Sequence, residues 1–417
     1  MNNRIESRPK RVVITGIGIA SPLGNSHQQY CENLFKGKMG ISQIDLPDKD
    51  KRKAQNAAQL LPLPEPEWRD KRDQRNSSLI TAVTLFAAQE AVRSSQLELE
   101  SLDKTKCGSI VGSGFHNLYD LEQTYKDFYQ NGKNLPTMTI PKNMSSAPAT
   151  RIAMHFRLRG IISSVSTACS SGFTAIRESF RLIQSGDQEC IITGGSDLMV
   201  CQSLVRAWER LQVMSRQLDP ALSCQPFDQA RRGIVLGDGS VCIVLENLEN
   251  ALARGAPILA EIKAIFQNSD SLDLVRPNAK GEIECMSNAL NKAKLLPSEI
   301  DLIFPHATGT KVNDQIEHDA LAGVFGDSLK DKPVCAIKSM IGHTMGASGP
   351  MSLAAALGSL SNGYVYPIPN LHHLEEGMEL NFSTVGRIKK EVNNILINTF
   401  AFGGINVSLV LSRLSSN

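Results

Sequence analysis

Three residues that could carry out nucleophilic acyl chemistry lie in similar contexts along this chain of 417 residues. Cys169 lies in "VSTACSSGFTAI", His306 in "PHATGTKVND" and His343 in "KSMIGHTMGASG". Each is surrounded by small residues, which allow the backbone and a substrate to approach closely. Each also follows an apolar segment typical of a strand, and functional groups of α/β proteins concentrate in the loops after strands. The three residues therefore predict one reactive site built from distant parts of the chain.

Cys169 has the local context of an activated thiol. The apolar residues that follow it recur at spacings of three and four, which predicts a helix that begins close to the cysteine: Phe173, Ile176, Phe180 and Ile183. Backbone N–H groups and the helix dipole at such a position favour a thiolate. From this stretch alone the alternative stays open that a following serine caps the helix and that the cysteine is inert, as most free cysteines are.

The composition argues against several other classes of protein. The cysteines number nine, which is odd, and no CxxC spacing occurs, so neither a disulfide framework nor a zinc site is expected. A net charge of +2 gives no strong field for nucleic acid or for a membrane surface. No apolar stretch reaches the roughly 18 residues of a membrane span, and the polar N-terminus lacks the apolar core of a signal peptide. We expect a cytoplasmic protein with no metal, no nucleic-acid partner and no membrane span.

The order of predicted elements indicates an α/β fold in two halves. A strand, a helix and a second strand follow one another over residues 161–197, which favours a parallel sheet with helices on its faces. The second part of the chain repeats this order. A chain of this length exceeds one ordinary compact core, so we expect two fused halves, 1–255 and 256–417.

Other segments give local predictions. They are a buried helix over 77–96, an antiparallel hairpin over 233–248, a closing hairpin around Gly403 and Gly404, and surface insertions or loops over 44–76 and 116–140.

Several segments together resemble one enzyme family. "VSTACSSG", "PHATGT…ND..E", "IKSMIGHTMGASG" and "FAFGGINVSLV" are similar to the motifs of β-ketoacyl-[acyl-carrier-protein] synthases of the Cys-His-His, KAS I/II type, within the thiolase-like superfamily. The resemblance spans about residues 11–412, in the family's order. It implies a thiolase-like α/β fold whose two βαβ-rich halves pack as a five-layered α-β-α-β-α core.

The resemblance implies a role for each reactive residue. Cys169 would take an acyl chain from a carrier-protein thioester, because a thiolate is both a strong nucleophile and a good leaving group. His306 and His343 would stabilise the enolate that forms when a malonyl unit loses CO₂. The backbone N–H groups of Cys169 and Phe402 would hold the oxyanion of the following Claisen condensation. No further cofactor is implied, since the substrates are carried on the phosphopantetheine of an acyl carrier protein.

Lys338 lies five residues before His343, and by resemblance it organises the site and biases protonation. A lysine is more often a solvated surface residue, but its apolar context argues against that here. Further supporting residues are implied by the resemblance: Asp314, Glu317, Phe400, Gly403 and Gly404. The two acids also suit the start of a helix as simple charges, and the two glycines would let a gating loop that carries Phe402 move.

Departures from the family pattern concern the acyl pocket and its surroundings. Phe115 in "GSGFHN" takes a position that lines the acyl pocket in elongating synthases and often holds a smaller aliphatic residue, so a shorter or redirected pocket is expected. Ser352 stands where a glutamate is usual, and Ala401 stands where glycine is common. The second change is expected to stiffen the gating loop.

Two enzyme roles and one other role stay open. The protein resembles the ketosynthase subunit of a type II polyketide or aryl-polyene system, and it also resembles a housekeeping fatty-acid elongation synthase. A non-catalytic partner subunit is the third role. The expected partners are an acyl carrier protein, docked near Arg206, Arg210 and Arg216, and a second subunit. That subunit completes either a homodimer or a heterodimer with a chain-length-factor-like homologue.

Overall fold

The computed structural model describes residues 9–64, 77–389 and 391–414. Its strands, in chain order, are β1 (Val12–Ala20), β2 (Ser42–Gln43), β3 (Asn56–Ala57), β4 (Cys107–Gly112), β5 (Ile162–Val165), β6 (Cys190–Asp197), β7 (Gly239–Asn247), β8 (Ala260–Ser269), β9 (Leu302–Phe304), β10 (Tyr364–Val365), β11 (Arg387–Ile388), β12 (Asn394–Ala401) and β13 (Ile405–Ser412). Its α-helices are α1 (His27–Phe35), α2 (Leu79–Ser94), α3 (Leu118–Asn131), α4 (Thr139–Asn143), α5 (Ala147–Phe156), α6 (Ser171–Ser185), α7 (Gln202–Arg210), α8 (Leu248–Ala253), α9 (Ala279–Ala293), α10 (Lys311–Phe325), α11 (Lys338–Ile341) and α12 (Ser348–Asn362).

The larger strands form one mixed sheet in the order β5-β4-β6-β7-β1-β8-β13-β12-β9. β4 is parallel to β5 and β6, and β9 is parallel to β12. The other neighbouring strands are antiparallel. The predicted parallel pairing is therefore correct beside Cys169 and His306 but does not extend to the centre of the sheet. There β1 and β8 join the two halves of the sheet through three residue pairs.

Helices cover the sheet in layers. α6 contacts β4, β6 and β8, and α12 contacts β7 and β12, so these two helices lie between the halves of the sheet. α2 and α5 pack against the first half, whereas α9 packs against the second half with α10 beside it. This arrangement is the predicted five-layered core.

One apolar core spans both halves of the chain. It includes Phe173 and Ile243 from the first half and Leu353 and Ile397 from the second, all fully buried. The division after residue 255 falls between α8 and β8 and stays a prediction. None of the helices within the described ranges has the length and apolar character needed to cross a membrane.

Two glycines of β1 let α2 lie directly on the strand. A Cβ atom on Gly16 would lie 2.1 Å from the carbonyl oxygen of Ala91, and one on Gly18 would lie 2.0 Å from that of Ala87. Both distances are far shorter than a van der Waals contact. The alternation of glycine with isoleucine in "TGIGIA" therefore reflects helix packing as well as strand formation.

The local predictions had mixed outcomes. The buried helix over 77–96 and the closing hairpin are confirmed as α2 and as the pairing of β12 with β13. The hairpin over 233–248 is wrong, because β7 pairs with β1 and β6, while Ile234 and Leu236 form bridges to Met214 and His343 instead. The residues of this segment do alternate as in a strand, but distant segments of the chain supply the hydrogen-bond partners of its backbone.

The two predicted surface insertions or loops had different outcomes. Residues 116–140 contain α3, none of whose residues is buried, so this segment is a helical surface insertion and not a loop. Residues 44–64 hold the short strand β3 and a 3₁₀ turn at Lys49–Lys51 and are otherwise irregular, in agreement with the prediction. The remainder of that predicted loop, 65–76, lies outside the described residues.

The packing of α2 on β1 predicts a large cost for a side chain at Gly18. Gly18→Val should lower the free energy of unfolding by roughly 2 kcal/mol or more, because α2 must move away from the sheet. Gly132→Ala is the matched control, since nothing lies within 4 Å of a Cβ atom there and only its φ of 61° opposes the change. Urea unfolding of both variants measures the difference. Equal losses for the two variants would contradict the packing argument.

Candidate active site

Cys169 occupies a strained turn between β5 and α6. Ala168 has a positive φ of 50°, a conformation that residues other than glycine rarely adopt. The Thr167 N–H donates to Ser171 Oγ at 2.9 Å, and that hydroxyl donates to the Ala168 carbonyl oxygen at 2.6 Å. These bonds hold Cys169 just ahead of the helix, at the position that the apolar spacing predicted.

The charge state of Cys169 is not the thiolate that its position before a helix favours. Burial raises the pKa of its thiol to about 12, because the apolar surroundings penalise the charged form. The ammonium group of Lys338 and the backbone N–H groups of Cys169 and Phe402 lower that pKa, but they do not offset the loss of water. The resting residue is therefore a neutral thiol. Both N–H groups nevertheless act on the sulfur, as expected for the two donors of an oxyanion hole.

His343 is buried in the loop between α11 and α12. Its backbone N–H donates to the carbonyl oxygen of Val235 at 2.7 Å, which fixes the main chain. The Met345 N–H donates to Nδ1 of the ring at 3.2 Å. Because Nδ1 is the acceptor, the neutral ring carries its hydrogen on Nε2. Burial, together with the nearby charge of Lys338, holds the pKa of His343 well below its usual range, so the ring is neutral at pH 7.

Hydrogen bonds to the backbone around His306 hold this residue in place. Glu317 accepts the N–H groups of His306 and Ala307, both at 2.6 Å, and Lys338 Nζ donates to the carbonyl oxygen of His306. Ring nitrogen Nδ1 of His306 has no hydrogen-bond partner among the described residues. Burial, followed by the charges of Lys338 and His343, holds the pKa of His306 well below its usual range. This ring is also neutral and has a free nitrogen.

The structure brings the three predicted reactive residues together. The sulfur of Cys169 and one ring nitrogen each of His306 and His343 lie within 4.8 Å of one another. The two imidazole rings are 5.2 Å apart at their centroids and nearly perpendicular, at 82°. His306 also contacts the ring of Phe400, with the centroids 6.4 Å apart. A nucleophile and two neutral imidazoles thus surround one small volume.

A buried charge pair lies behind the histidines. Burial lowers the pKa of Lys338 to about 8 and raises the pKa of Glu317 to about 7. Each group also shifts the pKa of the other back toward its ordinary value, which is the effect of a favourable charge pair. Asp314 lies beside them and accepts the N–H groups of Phe227 and Gly309.

Asp197 is a site residue that the sequence reasoning missed. Its carboxylate accepts the Ser113 hydroxyl and the backbone N–H groups of Gly114, Phe115 and Gly346. It therefore ties the loop after β4 to the loop that carries His343. The only signal in the sequence was an acid directly after "ITGGS", which is not specific.

A cavity of about 490 Å³ leads to the reactive residues. Its inner part includes Cys169, His306, His343 and Phe400, while Arg276 and Val312 lie nearer the mouth with exposed side chains. The residues that line it are Cys169, Trp208, Val213, Ile234, Asp273, Val275, Arg276, Pro277, His306, Thr308, Thr310, Val312, Asn313, His343, Phe400, Ala401 and Phe402.

The loop after β12 has the conformation that its glycines predicted. Gly403 and Gly404 have φ values of 84° and 66°, which only glycine adopts readily. The Gly403 N–H donates to the Leu274 carbonyl oxygen at 2.7 Å. Phe402 stacks on Trp208, and Phe115 packs against Trp208 with its ring tilted. Trp208 was not singled out from the sequence.

The predicted absence of a metal stays a prediction. Among the described residues, Cys169, His306 and His343 are the one group of at least three such side chains whose donor atoms are close enough to hold an ion. The buried ammonium of Lys338 acts on all three of them, and its charge opposes a cation at that point.

The fold and these side chains define a ketosynthase of the thiolase-like class, with a Cys-His-His site. The family model described as "Beta-ketoacyl synthase, N-terminal domain" matches residues 9–251, and "Beta-ketoacyl synthase, C-terminal domain" matches residues 259–372. The chain belongs to the β-ketoacyl synthase family. It is an enzyme of the acyltransferase class that performs a ketosynthase condensation.

Similar proteins match along almost their whole length. The 3-oxoacyl-[acyl-carrier-protein] synthase 2 of Coxiella burnetii (strain RSA 493 / Nine Mile phase I) is 30% identical over 97% of this chain and 99% of its own. Nodulation protein E of Rhizobium sp. (strain N33) is 32% identical over 97% of this chain and 100% of its own. The solved structure of the ishigamide ketosynthase/chain length factor has a TM-score of 0.91 and 27% identity, and the match covers 98% of this chain and 100% of that one.

The raised pKa of Cys169 predicts how its alkylation depends on pH. A thiol with a pKa of about 12 is almost entirely protonated at pH 7, so the thiolate fraction should rise about tenfold per pH unit. The rate of Cys169 alkylation by iodoacetamide, followed by peptide mass spectrometry, should rise in this way from pH 6 to pH 8 with no plateau. A plateau that begins below pH 7 would contradict the dominance of burial.

Lys338→Met gives the matched test of the neighbouring charge. Removing the ammonium group takes away the main influence that lowers the thiol pKa, so alkylation at pH 7.5 should slow by at least threefold. Lys311→Met, at an exposed lysine, is the control and should leave the rate unchanged. Equal rates in Lys338→Met and the wild type would contradict the assigned electrostatics.

Proposed function

We propose that this protein condenses an acyl chain held on Cys169 with malonyl-acyl-carrier protein, with loss of CO₂, to give a β-ketoacyl-carrier protein. The observation that carries the proposal is the convergence of the Cys169 sulfur with one nitrogen of each neutral histidine, at the inner part of the cavity. The family to which the chain belongs supports the same reaction.

In the first half-reaction the sulfur of Cys169 attacks the acyl thioester. The carbon–sulfur bond of the donor breaks, and the carrier thiolate leaves with the proton that the Cys169 thiol gives up. The developing oxyanion lies near the N–H groups of Cys169 and Phe402, which already act on the sulfur in the resting state. The high pKa of the free thiol also means that the attack depends on these donors rather than on a preformed thiolate.

In the second half-reaction the malonyl unit loses CO₂ and its electron pair passes to an enolate. Nε2–H of His343 donates to the enolate oxygen, since Nδ1 is already occupied by the Met345 N–H. A ring nitrogen of His306 provides the second contact, and each neutral imidazole has one N–H to donate. The enolate carbon then bonds to the acyl carbonyl carbon, and Cys169 leaves as a thiolate that takes a proton from water.

The acyl carrier protein is the proposed donor partner. Exposed Arg276 lies at the mouth of the cavity, near Thr308 and Thr310, and suits the phosphate of a phosphopantetheine arm. The three predicted docking arginines line a second surface pocket together with Lys51 and Lys53: Arg206, Arg210 and Arg216. Such a basic patch suits an acidic carrier protein. The name of the Coxiella burnetii relative includes the same carrier.

A homologous subunit is the proposed second partner. β5 lies at the edge of the sheet, and apolar side chains nearby are exposed, among them Ile140 (73%), Met154 (64%) and Ile162 (42%). An exposed edge strand with apolar neighbours favours pairing with another chain. Either a homodimer or a heterodimer would cover this surface.

We further propose that the enzyme is the ketosynthase subunit of a type II polyketide or aryl-polyene pathway. The aromatic ring of Phe115 and the serine at 352 depart from the family pattern of elongating synthases, and the ishigamide relative is a ketosynthase/chain length factor. Fatty-acid elongation is the competing candidate, and it is favoured by the name of the Coxiella burnetii relative.

Replacing the nucleophile tests the reaction. Cys169→Ala should reduce condensation of acyl- and malonyl-carrier protein by at least 1,000-fold, because no covalent acyl intermediate can form. Cys201→Ala is the matched control, as this thiol is buried in the same apolar cluster and should leave the rate within about twofold. Cys169→Gln should retain malonyl decarboxylation. Condensation by Cys169→Ala at the wild-type rate would rule out the mechanism.

The choice of pathway is tested by product analysis with and without a second subunit. The purified protein, hexanoyl-carrier protein and malonyl-carrier protein should give the full-length product only when a cysteine-less chain-length-factor-like homologue is added. Mass spectrometry of the carrier-bound products measures this. Elongation to long chains by the protein alone would support the fatty-acid role instead.

A further inference from the structure

Two aromatic rings, those of Trp208 and Phe402, line the cavity beside Cys169. Trp208 stacks on Phe402, with ring centroids 5.7 Å apart and an interplanar angle of 26°. Trp208 also packs against Phe115 at 5.9 Å and 58°. The indole is 6% exposed and belongs with Cys169 to one apolar cluster, so packing fixes its position.

The rest of this cluster is rich in sulfur. Sδ of Met345 lies 3.8 Å from Sγ of Cys169, and the same cluster contains three further sulfur-containing residues among its aliphatic side chains: Met199, Cys201 and Met214. Thioethers and aromatic faces are polarisable and interact well with π-systems. The surroundings of the nucleophile therefore differ from a wall made only of aliphatic side chains.

The stacking of Phe402 on Trp208 also defines the shape of the space that an acyl chain can take. If the ring of Phe402 moved to admit a chain, the space that it leaves against the indole face would be a slot one ring thick. The two ring planes are within 26° of each other, so the slot is flat. A conjugated chain is planar and fills such a slot, whereas a saturated chain with bent single bonds is thicker and loses contact with the wall.

We propose that Trp208 is a specificity-determining residue that makes the acyl site select flat, conjugated acyl chains over saturated chains of equal length. The inference rests on the proposed function of Cys169 as the acyl acceptor. The chemical step is the same for both chains, since the donor thioester bond breaks as the bond from Sγ to the acyl carbon forms. The leaving thiol takes the proton of Cys169. Any difference between the two chains therefore comes from their fit.

Two small donors of equal length test the proposal with the full-length protein. Hexanoyl and trans,trans-2,4-hexadienoyl thioesters of N-acetylcysteamine are offered separately, and the rate of Cys169 acylation is followed by intact and peptide mass spectrometry. Each rate is divided by the rate of the same donor with free cysteine, because conjugation lowers the intrinsic reactivity of a thioester. The corrected rate for the conjugated donor should exceed that for the saturated donor by about fivefold in the wild type.

Three variants test the part played by the indole. Trp208→Leu should bring the ratio to within twofold of one, while Trp208→Phe, which keeps an aromatic face, should retain most of the preference. Phe35→Leu removes a ring from the stack with Tyr364, whose centroids are 4.4 Å apart, and should leave the ratio unchanged. Circular dichroism checks that each variant is folded.

The outcomes separate the inference from the proposed function. A wild-type ratio near one overturns the inference, as does a Trp208→Leu protein that is folded and keeps the wild-type ratio. The wild-type ratio and Trp208→Phe decide the question if Trp208→Leu does not fold. Failure of both donors to label Cys169, with labelling absent in every variant, overturns the proposed function and the inference with it.

Discussion

Buried carboxylates hold the loops of the active site, and the positions of the reactive residues depend on these bonds. Glu317 accepts the N–H groups of His306 and Ala307, and Asp197 accepts that of Gly346 in the loop of His343. Asp314 does the same for Gly309. Loops that leave the strands of a sheet have N–H groups without strand partners, and each such group is costly when buried. The carboxylates meet this need and fix the loops in one arrangement.

The same burial sets the charge state of the site. A carboxylate that is removed from water tends to take up a proton, and burial raises the pKa of Glu317 to about 7. The buried ammonium of Lys338 opposes that shift and favours the charged form in which Glu317 accepts the N–H groups of His306 and Ala307. Burial holds both imidazoles in the neutral form, and the charge of Lys338 acts in the same direction. The cation of Lys338 therefore favours both a charged carboxylate behind the loop and neutral rings in the site.

The sequence located site residues where a reactive side chain lies within a recognisable local pattern. Cys169, His306 and His343 each follow a strand and sit among small residues, so their convergence could be predicted. Trp208 and Asp197 could not be found, because their importance arises from contacts with residues more than 80 positions away. The hairpin over 233–248 was wrong for a related reason, since alternation identifies a strand but not its partner. The state of the Cys169 thiol depends on the balance between burial and nearby charges, and that balance requires coordinates.

The most direct test of the account is a two-step mass measurement on the wild-type protein. After mixing with hexanoyl-carrier protein, peptide mapping should find one acyl group, on Cys169. After malonyl-carrier protein is added, that adduct should disappear as β-ketooctanoyl-carrier protein and CO₂ form in equal amounts. An acyl group on another residue, or an adduct on Cys169 that persists while product accumulates, would contradict the account.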